Sequence, residues 1–386
     1  MAKPLVYLDN AATSFPKPTA VLHEMVEMYS QMGVSPGRGN YDMAVVAGEF
    51  VEQTRAKLSG FFGASDPKRT IFSANATDAL NTVIQGLAKP GDHFIATRLD
   101  HNSVLRPLHH LSERGLIAYD LAPFDGRGFV DPDAIAGLVR PNTRAVVMCF
   151  GSNVLGTIQP MGEIGRVCKE RGVPLVVDAA QGAGQTPIDM AALGISALVF
   201  TGHKSLYGPS GVGGLVLSPD LDLETTRFGG TGMDSASLVH TQTYPLRLEA
   251  GTINLLGVIG LSLGLDYVTT MGVPQVRHAE MALLQRLRDG LAANPAITLY
   301  CATDLANHLP VLSVNVAGTN AQDVAAILDG DYGIAVRAGL HCAPMVHRDL
   351  GTIHQGAVRF SPGPLNTPAD IDLAIEAMNA IRHPEA

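Results

Sequence analysis

The 386-residue sequence predicts an α/β fold on a mostly parallel sheet, with a large domain over 17–262 and a smaller α+β domain formed by 1–16 and 263–386. Three observations predict it. Short apolar runs such as Leu175-Val176-Val177 and Ala197-Leu198-Val199-Phe200 read as buried strands, and each breaks off into polar or glycine-rich chain. From about 71 to 217 such runs alternate with helical patterns, as in a parallel sheet with crossover helices. A chain of 386 residues with 46% hydrophobic and 16% charged side chains is too long for one small core and too apolar for disorder.

In chain order, Val6-Tyr7-Leu8 is a short strand that leads into the turn-rich segment Asp9–Pro18. Thr19 is placed to cap a helix through about Tyr29. Ser35–Asn40 is a loop carrying Arg38, and Asp42–Phe61 reads as an amphipathic helix. Ile71-Phe72 is a strand, and Ala74–Asp78 turns into a helix ending near Leu87. Such a strand, turn and helix start present backbone N–H groups to an anion, with Ala76 and Thr77 as contacts. A threonine before an aspartate is also an ordinary helix cap. His93–Thr97 and Ala145–Cys149 are strands, Met161–Arg171 is a crossover helix, and Gly213–Leu217 is a further strand. Pro219–Thr243 is irregular. Helices follow from about Gly257 to Met271 and from Pro274 to Ala293. The remainder has strands near Thr298–Tyr300, Val311–Asn315 and Ile334–Val336, a helix over Ala321–Leu328 and a closing helix over Pro368–Ile381. Neither an internal repeat nor a low-complexity linker separates the two parts, so they pack together with the site between them.

The net charge of −9 and pI near 5.8, without a basic stripe, exclude nucleic acid as the main partner. The segment MAKPLVYLDN lacks the apolar core of a secretory signal, and no run of roughly 18 apolar residues suggests a membrane span. Cys149, Cys168, Cys301 and Cys342 form no C-x-x-C pair, so no disulfide framework is expected and the location is expected to be cytoplasmic. Cys342, His341, His347 and His354 match no metal-ligand spacing, and no metal is expected.

The chemistry centres on TGHKSLYGPSG. Lys204 stands just past a core strand, beside Thr201 and His203. A lysine whose charge is suppressed by its surroundings is an amine nucleophile that forms a Schiff base with an aldehyde, although a lysine in a glycine-rich loop also fits a plain surface position. Asp178 ends the preceding strand, and ligands of open α/β sheets bind at the carboxyl ends of strands. Together Lys204 and Asp178 suit pyridoxal 5'-phosphate, one for its aldehyde and the other for its pyridine nitrogen. A second centre is Arg337–Pro344, RAGLHCAP, where Cys342 sits in a polar loop beside a histidine, a setting for an activated thiolate. Cys149, Cys168 and Cys301 read as structural thiols. Arg359 carries the guanidinium geometry of a carboxylate clamp, or of a structural ion pair.

The motifs LDNAAT, SNVLGT, VVDAAQG, TGHKSLYGPSG, EAGT and RAGLHCAP together span nearly the whole chain. It resembles the class V aminotransferase-like enzymes of pyridoxal-phosphate fold type I, and within them the cysteine desulfurases, with a cysteine loop similar to that of group II. The resemblance implies a seven-stranded, mostly parallel sheet in the large domain and pyridoxal 5'-phosphate as cofactor. It places His101 against the pyridine ring as a proton shuttle, Asn153 and Gln181 near the ring oxygen, Asn153 also at the substrate carboxylate, and Ala76, Thr77, Thr201 and His203 at the phosphate. It places Thr252 at the phosphate of a partner subunit, which implies a homodimer, Arg359 at the substrate carboxylate, and Arg38 near substrate or partner subunit. The implied reaction converts L-cysteine to L-alanine and leaves sulfur as a persulfide on Cys342, for transfer to an acceptor protein or thiol; L-selenocysteine is a second substrate. Alternatives are a selenocysteine lyase or another class V pyridoxal-phosphate enzyme, and a sulfur-delivery protein dependent on a carrier. One departure from the family is the proline-rich stretch Ser361–Thr367 after Arg359.

Overall fold

The strands that end at Asp178 and at Thr201 lie side by side and parallel, so both residues emerge at one edge of the same sheet. The structure, a computed structural model, describes residues 5–37, 39–233 and 235–381. Its elements begin with β1 (Val6–Tyr7), α1 (Thr19–Met32), α2 (Asp42–Phe61), β2 (Thr70–Ser73), α3 (Ala76–Leu87), β3 (Asp92–Thr97) and α4 (Asn102–Glu113). They continue with β4 (Ile117–Ala122), α5 (Pro132–Leu138), β5 (Thr143–Cys149), α6 (Met161–Arg171), β6 (Leu175–Asp178), α7 (Met190–Leu193), β7 (Ala197–Thr201) and β8 (Gly213–Leu217). Two long helices follow, α8 (Leu255–Met271) and α9 (Val273–Ala292). The last part holds β9 (Ile297–Leu299), β10 (Leu312–Val316), α10 (Ala321–Ile327), β11 (Ile334–Ala335), β12 (Arg337–Gly339), α11 (Pro344–Asp349), β13 (Ala357–Phe360) and α12 (Pro368–Ala380).

The central sheet has seven strands in the order β2-β8-β7-β6-β5-β3-β4. Among them only β8 runs against its neighbours. Side chains alternate across it. Val146, Met148, Val177 and Leu198 join one apolar cluster with α2, α6 and α8, and Ala145, Val147, Val176 and Val199 join another with α3 and α4. Cover on both faces explains why these strands read as unbroken apolar runs. Gly213 in β8 is required by close approach: a Cβ there would come within 3.0 Å of the Asn75 backbone, in the turn that starts α3.

The four-stranded antiparallel sheet β12-β13-β10-β9 packs with α9, α10 and α12 around a third apolar cluster that includes Val6 and Leu8. β1 pairs in parallel with β11, which ties the N-terminus to this layer. The stretch after Arg359 completes the tie. Ser361 donates its N–H to the Leu8 carbonyl at 2.7 Å, and its hydroxyl accepts from the Ala11 N–H at 2.9 Å. Asn366 donates to the Tyr7 carbonyl at 3.1 Å, and Thr367 forms a capping box with Asp370 at the start of α12. The proline-rich segment is therefore the dock of the LDNAAT segment that follows β1. Among the described residues no single helix is long and apolar enough to cross a membrane.

Several local expectations need correction. Thr19 does not cap α1; Pro18 holds that place without a side-chain bond, and the helix runs to Met32. At α3 the cap is Asn75, whose side chain accepts from the Asp78 N–H, and Thr77 is already inside the helix. The chain after His101 continues into α4, β4 and α5, which the sequence patterns do not predict. α4 was obscured by Pro107 in its interior, and β4 alternates buried with exposed residues too irregularly to read as a core strand.

Candidate active site

At the carboxyl edge of the sheet, where the chain passes between the two layers, lies a cavity of about 220 Å³. Parallel strands deliver their C-terminal residues there: Asp178 from β6, Thr201 from β7 with His203 and Lys204 just beyond, and Cys149 from β5, paired in register with Asp178. Ala76, Thr77, His101, Asn153, Gln181 and Arg359 complete the set of predicted residues that line it.

Burial pushes the Lys204 ammonium down to about 8, and the nearby Arg359 and Arg337 guanidinium groups push the same way while Asp178 opposes them. Near pH 8 a large fraction of this amine is therefore neutral and nucleophilic. Burial raises the Asp178 carboxyl, opposed by the Ala180 N–H at 2.9 Å and by Lys204. A buried carboxylate of this kind is completed by a cation placed against it. Cys149 is inert by comparison, because burial and the Asp100 and Asp178 carboxylates drive its thiol well up.

At the other end of the cavity, Ala76 and Thr77 are the first residues of α3, where N–H groups lie outside the intrahelical ladder. Thr201 Oγ1 and His203 Nδ1, which line the same cavity, are buried without a hydrogen-bond partner. Buried polar atoms are rarely left unsatisfied, so these two and the helix start mark a place for an anion with several oxygens. Asn153 donates to the His341 carbonyl at 2.7 Å, and Gln181 donates to the Ala11 carbonyl at 2.8 Å.

His101 is the N-cap of α4, and its Nδ1 accepts from the Ser103 N–H at 3.0 Å. Its neutral ring therefore carries the proton on Nε2. Burial and the charges of Lys204 and Arg337 push His101 down to about 4, so the neutral form prevails at neutral pH. Ser103 links this ring to the helix start of α3, with Oγ 2.9 Å from His101 Nδ1 and 2.6 Å from Thr77 Oγ1.

Arg359 is 1% exposed. It donates from Nη2 to Asp9 at 2.6 Å and from Nη1 to the Asn153 carbonyl at 3.1 Å, while Nε is buried without a partner. An unpaired buried guanidinium costs about 3–5 kcal/mol, so Asp9 makes its burial tolerable. One edge of Arg359 is thus an ion pair, and its Nε–H is unspent.

Cys342 is not a wall of this cavity. It stands in the four-residue link between β12 and α11, half-buried, and both His341 (φ 50) and Cys342 (φ 58) adopt the left-handed conformation. The link is pinned by its backbone: the Cys342 carbonyl accepts from the Asn102 N–H at 2.7 Å, next to His101. Arg337, which does line the cavity, approaches Cys342 Sγ with Nη2 at 3.8 Å and so bridges cavity and sulfur. Thr252 lies elsewhere, in a cavity of about 450 Å³ beside Arg55, Glu249 and Asp78. Arg38 lies outside the described residues. The sequence assigns no role to Arg337, Ser103 or Asp9; the R-x-G-x-H-C spacing was the available signal for Arg337 and the LDNAAT motif for Asp9, and for Ser103 there was none.

The sequence profile described as aminotransferase class-V matches residues 6–373. The chain belongs to the class V aminotransferase family. It is 35% identical to a probable cysteine desulfurase of Methanothermobacter thermautotrophicus, covering 97% of this chain and 94% of that protein. It is 32% identical to a cysteine desulfurase of Yersinia pestis, covering 98% and 94%. Among solved structures, the apo cysteine desulfurase of Thermococcus onnurineus NA1 superimposes with a TM-score of 0.91 at 32% identity, over 97% of this chain and 94% of that one. The cysteine desulfurase CsdA of Escherichia coli, in an S-sulfonic acid form, gives a TM-score of 0.86 at 30% identity, over 97% and 93%. Class V aminotransferases and cysteine desulfurases are pyridoxal-phosphate-dependent enzymes, and the unpartnered Thr201 and His203 atoms at a helix start opposite a buried lysine and carboxylate fit that cofactor.

Proposed function

We propose that the enzyme is a cysteine desulfurase that removes sulfur from L-cysteine, yields L-alanine and holds the sulfur as a persulfide on Cys342. The observation that carries this is the convergence of Lys204, Asp178 and Arg359 on one cavity, with Arg337 joining that cavity to the Cys342 sulfur. Lys204, Asp178 and Gln181 would hold the ring end of pyridoxal phosphate, and Ala76, Thr77, Thr201 and His203 its phosphate. Bound there, the cofactor supplies an aldehyde and an electron-withdrawing ring.

The chain's own groups do the rest. The unspent Nε–H of Arg359 receives the substrate carboxylate in a charge-assisted bond, with Asp9 fixing the plane of the guanidinium. The neutral Lys204 amine takes the Cα proton at Nζ. The Cys342 thiolate attacks the substrate sulfur: an S–S bond forms, the Cβ–S bond breaks, and its electron pair stays on the alanine fragment, which takes up a proton. His101 is the neutral imidazole with its N–H on Nε2, which suits it to donate a hydrogen bond from Nε2 and not to remove a proton, so the proton taken up by the alanine fragment is the one Lys204 Nζ received. The persulfide then passes to an acceptor protein or a thiol.

Product analysis tests the reading. Purified, cofactor-loaded enzyme given L-cysteine is expected to form alanine and sulfur in equal amounts, with further turnover when a thiol reductant clears Cys342. Absence of alanine from L-cysteine, with alanine from L-selenocysteine, would replace the desulfurase by a lyase.

We also infer a homodimer. Leu22, Val26 and Tyr29 on α1, Tyr41 beside α2, Met43, Val45 and Val46 on α2, and Phe228 of the 219–243 loop are large apolar side chains left exposed. The Thr252 cavity is bordered by the same α1–α2 loop and by Arg227 and Thr231. Apolar surface of this extent supports cover by a second copy. Light scattering is expected to return about twice the 40.6 kDa chain mass, and a monomer at micromolar concentration would remove this inference.

A further inference from the structure

The carbonyl oxygen of His203, the residue before Lys204, is where the N-terminal segment converges. It accepts from Lys17 Nζ at 2.6 Å, from Thr13 Oγ1 at 2.9 Å and from the Ser14 N–H at 3.2 Å. A carbonyl has two lone pairs, so the two shortest contacts, those of the Lys17 ammonium and the Thr13 hydroxyl, occupy it best. Ser14 Oγ accepts from Lys17 Nζ at 2.7 Å and donates to the Lys204 carbonyl at 2.9 Å, closer than its 3.3 Å approach to His203. Lys17 thus grips both carbonyls of the His203–Lys204 pair, one directly and one through Ser14.

This is a costly use of a lysine. Both hydrogen-bond partners of Lys17 are neutral, and burial pushes its ammonium down to about 8. The same stretch of chain begins at Asp9, the partner of Arg359, and is docked just past the end of β13 through Ser361. Asp9–Lys17 is therefore a strap with one end on the guanidinium at the substrate carboxylate and the other on the backbone that bears the amine.

We propose that Lys17 is a positioning residue for Lys204: its ammonium locks the His203–Lys204 backbone to the N-terminal strap, which sets the spacing between the Lys204 amine and the Arg359 guanidinium. This rests on the reading of Lys204 as the amine that holds the cofactor. Lys17 touches neither substrate nor cofactor in this role. A displacement of ~1 Å at a reacting group can cost ~100-fold in rate.

The test is the holoenzyme of Lys17→Met and Lys17→Arg, assayed for kcat and KM with L-cysteine and for the pH titration of the visible cofactor absorbance. Lys17→Met is expected to lower kcat by about 10–100-fold, to change KM by less than about twofold, and to shift the titration midpoint. The shift follows from displacement of the Lys204 nitrogen, whose protonation is set by burial and by the surrounding Asp178, Arg359 and Arg337 charges. Lys17→Arg, which keeps charge and donors, should recover most of kcat. Wild-type kcat and an unmoved midpoint in Lys17→Met overturn the proposal, as does a loss that Lys17→Arg does not relieve. If Lys17→Met does not accumulate as soluble holoenzyme, Ser14→Ala, which removes the hydroxyl bridge from Lys17 to the Lys204 carbonyl and leaves the direct Lys17–His203 bond, should lower kcat in the same direction; unchanged kcat and midpoint there overturn it equally. Lys204→Ala separates the two readings: visible absorbance and turnover retained in that variant sink the role of Lys204 itself, whatever Lys17 does.

Discussion

Lys204→Ala is expected to purify without visible cofactor absorbance and to lose L-cysteine turnover by at least the ~10²–10⁴-fold that a positioned general base contributes. Two functions leave with the side chain, the covalent hold on the aldehyde and the base at Cα. The fold should not suffer. Removing a buried ammonium relieves a desolvation cost, and the backbone bonds of Lys204, its carbonyl to Ser14 Oγ and to the Tyr207 N–H, are unaffected by truncation. The melting temperature of apo Lys204→Ala should therefore match or exceed that of apo wild type. The pH dependence has a definite sign. Burial lowers the Lys204 ammonium to about 8, so the fraction of neutral amine grows as pH rises through that value. Cofactor capture by wild-type apoenzyme, followed by the rise of visible absorbance, should accelerate from pH 6.5 to about 8 and then level off. A flat rate across that range, or turnover in Lys204→Ala, would contradict the assignment.

Cys342→Ala is expected to abolish alanine formation from L-cysteine while the cofactor absorbance stays as in wild type. The separation follows from geometry. Cys342 does not line the cavity that holds Lys204, and the bond that pins its loop, from the Asn102 N–H, uses the Cys342 carbonyl rather than its sulfur. Alanine tolerates the left-handed backbone at 342 about as well as cysteine does, so no new strain arises. With L-selenocysteine the outcome should differ. Selenide leaves more readily than sulfide, so alanine formation is expected to survive loss of the thiolate. The assay is alanine quantified from each substrate under the same conditions. Wild-type alanine formation from L-cysteine in Cys342→Ala would show that no persulfide step at this residue is needed. Parallel loss with both substrates would instead mean that the loop, not the sulfur, had been damaged.

Much of the site was visible in the chain because its parts sit at the ends of apolar runs. A parallel sheet sends every strand's C-terminus to one edge, so reading Leu175–Val177 and Ala197–Phe200 as neighbours already placed Asp178 beside Thr201, His203 and Lys204. The helix start at Ala76 was legible for a similar reason, since a strand followed by small residues and a helix has local causes. Less was legible among the residues that hold those groups in place. Ser103 gains meaning only when α4 brings it against Thr77, and Arg337 only when β12 pairs with β13 and faces the cavity. The cap on α3 was misplaced by two residues, because asparagine and threonine are both good caps and only the backbone conformation at 75 decides between them.

The sequence by itself determined the fold class and most of the alternation of strands and helices, and it singled out Lys204, Asp178 and Cys342 as candidates for the amine, the acid and the thiol, because each rests on a short stretch of chain with a local pattern. Only the tertiary structure decided how those groups are coupled. Arg359 meets Asp9 across 350 residues, Lys17 meets His203 across 186, and the Cys342 loop hangs on the first N–H of α4. Contacts at such separations are chosen by the packing of one layer on another. No periodicity, cap or turn signal encodes that packing, because the partners of a buried charge are set by whichever surfaces the two layers bring together.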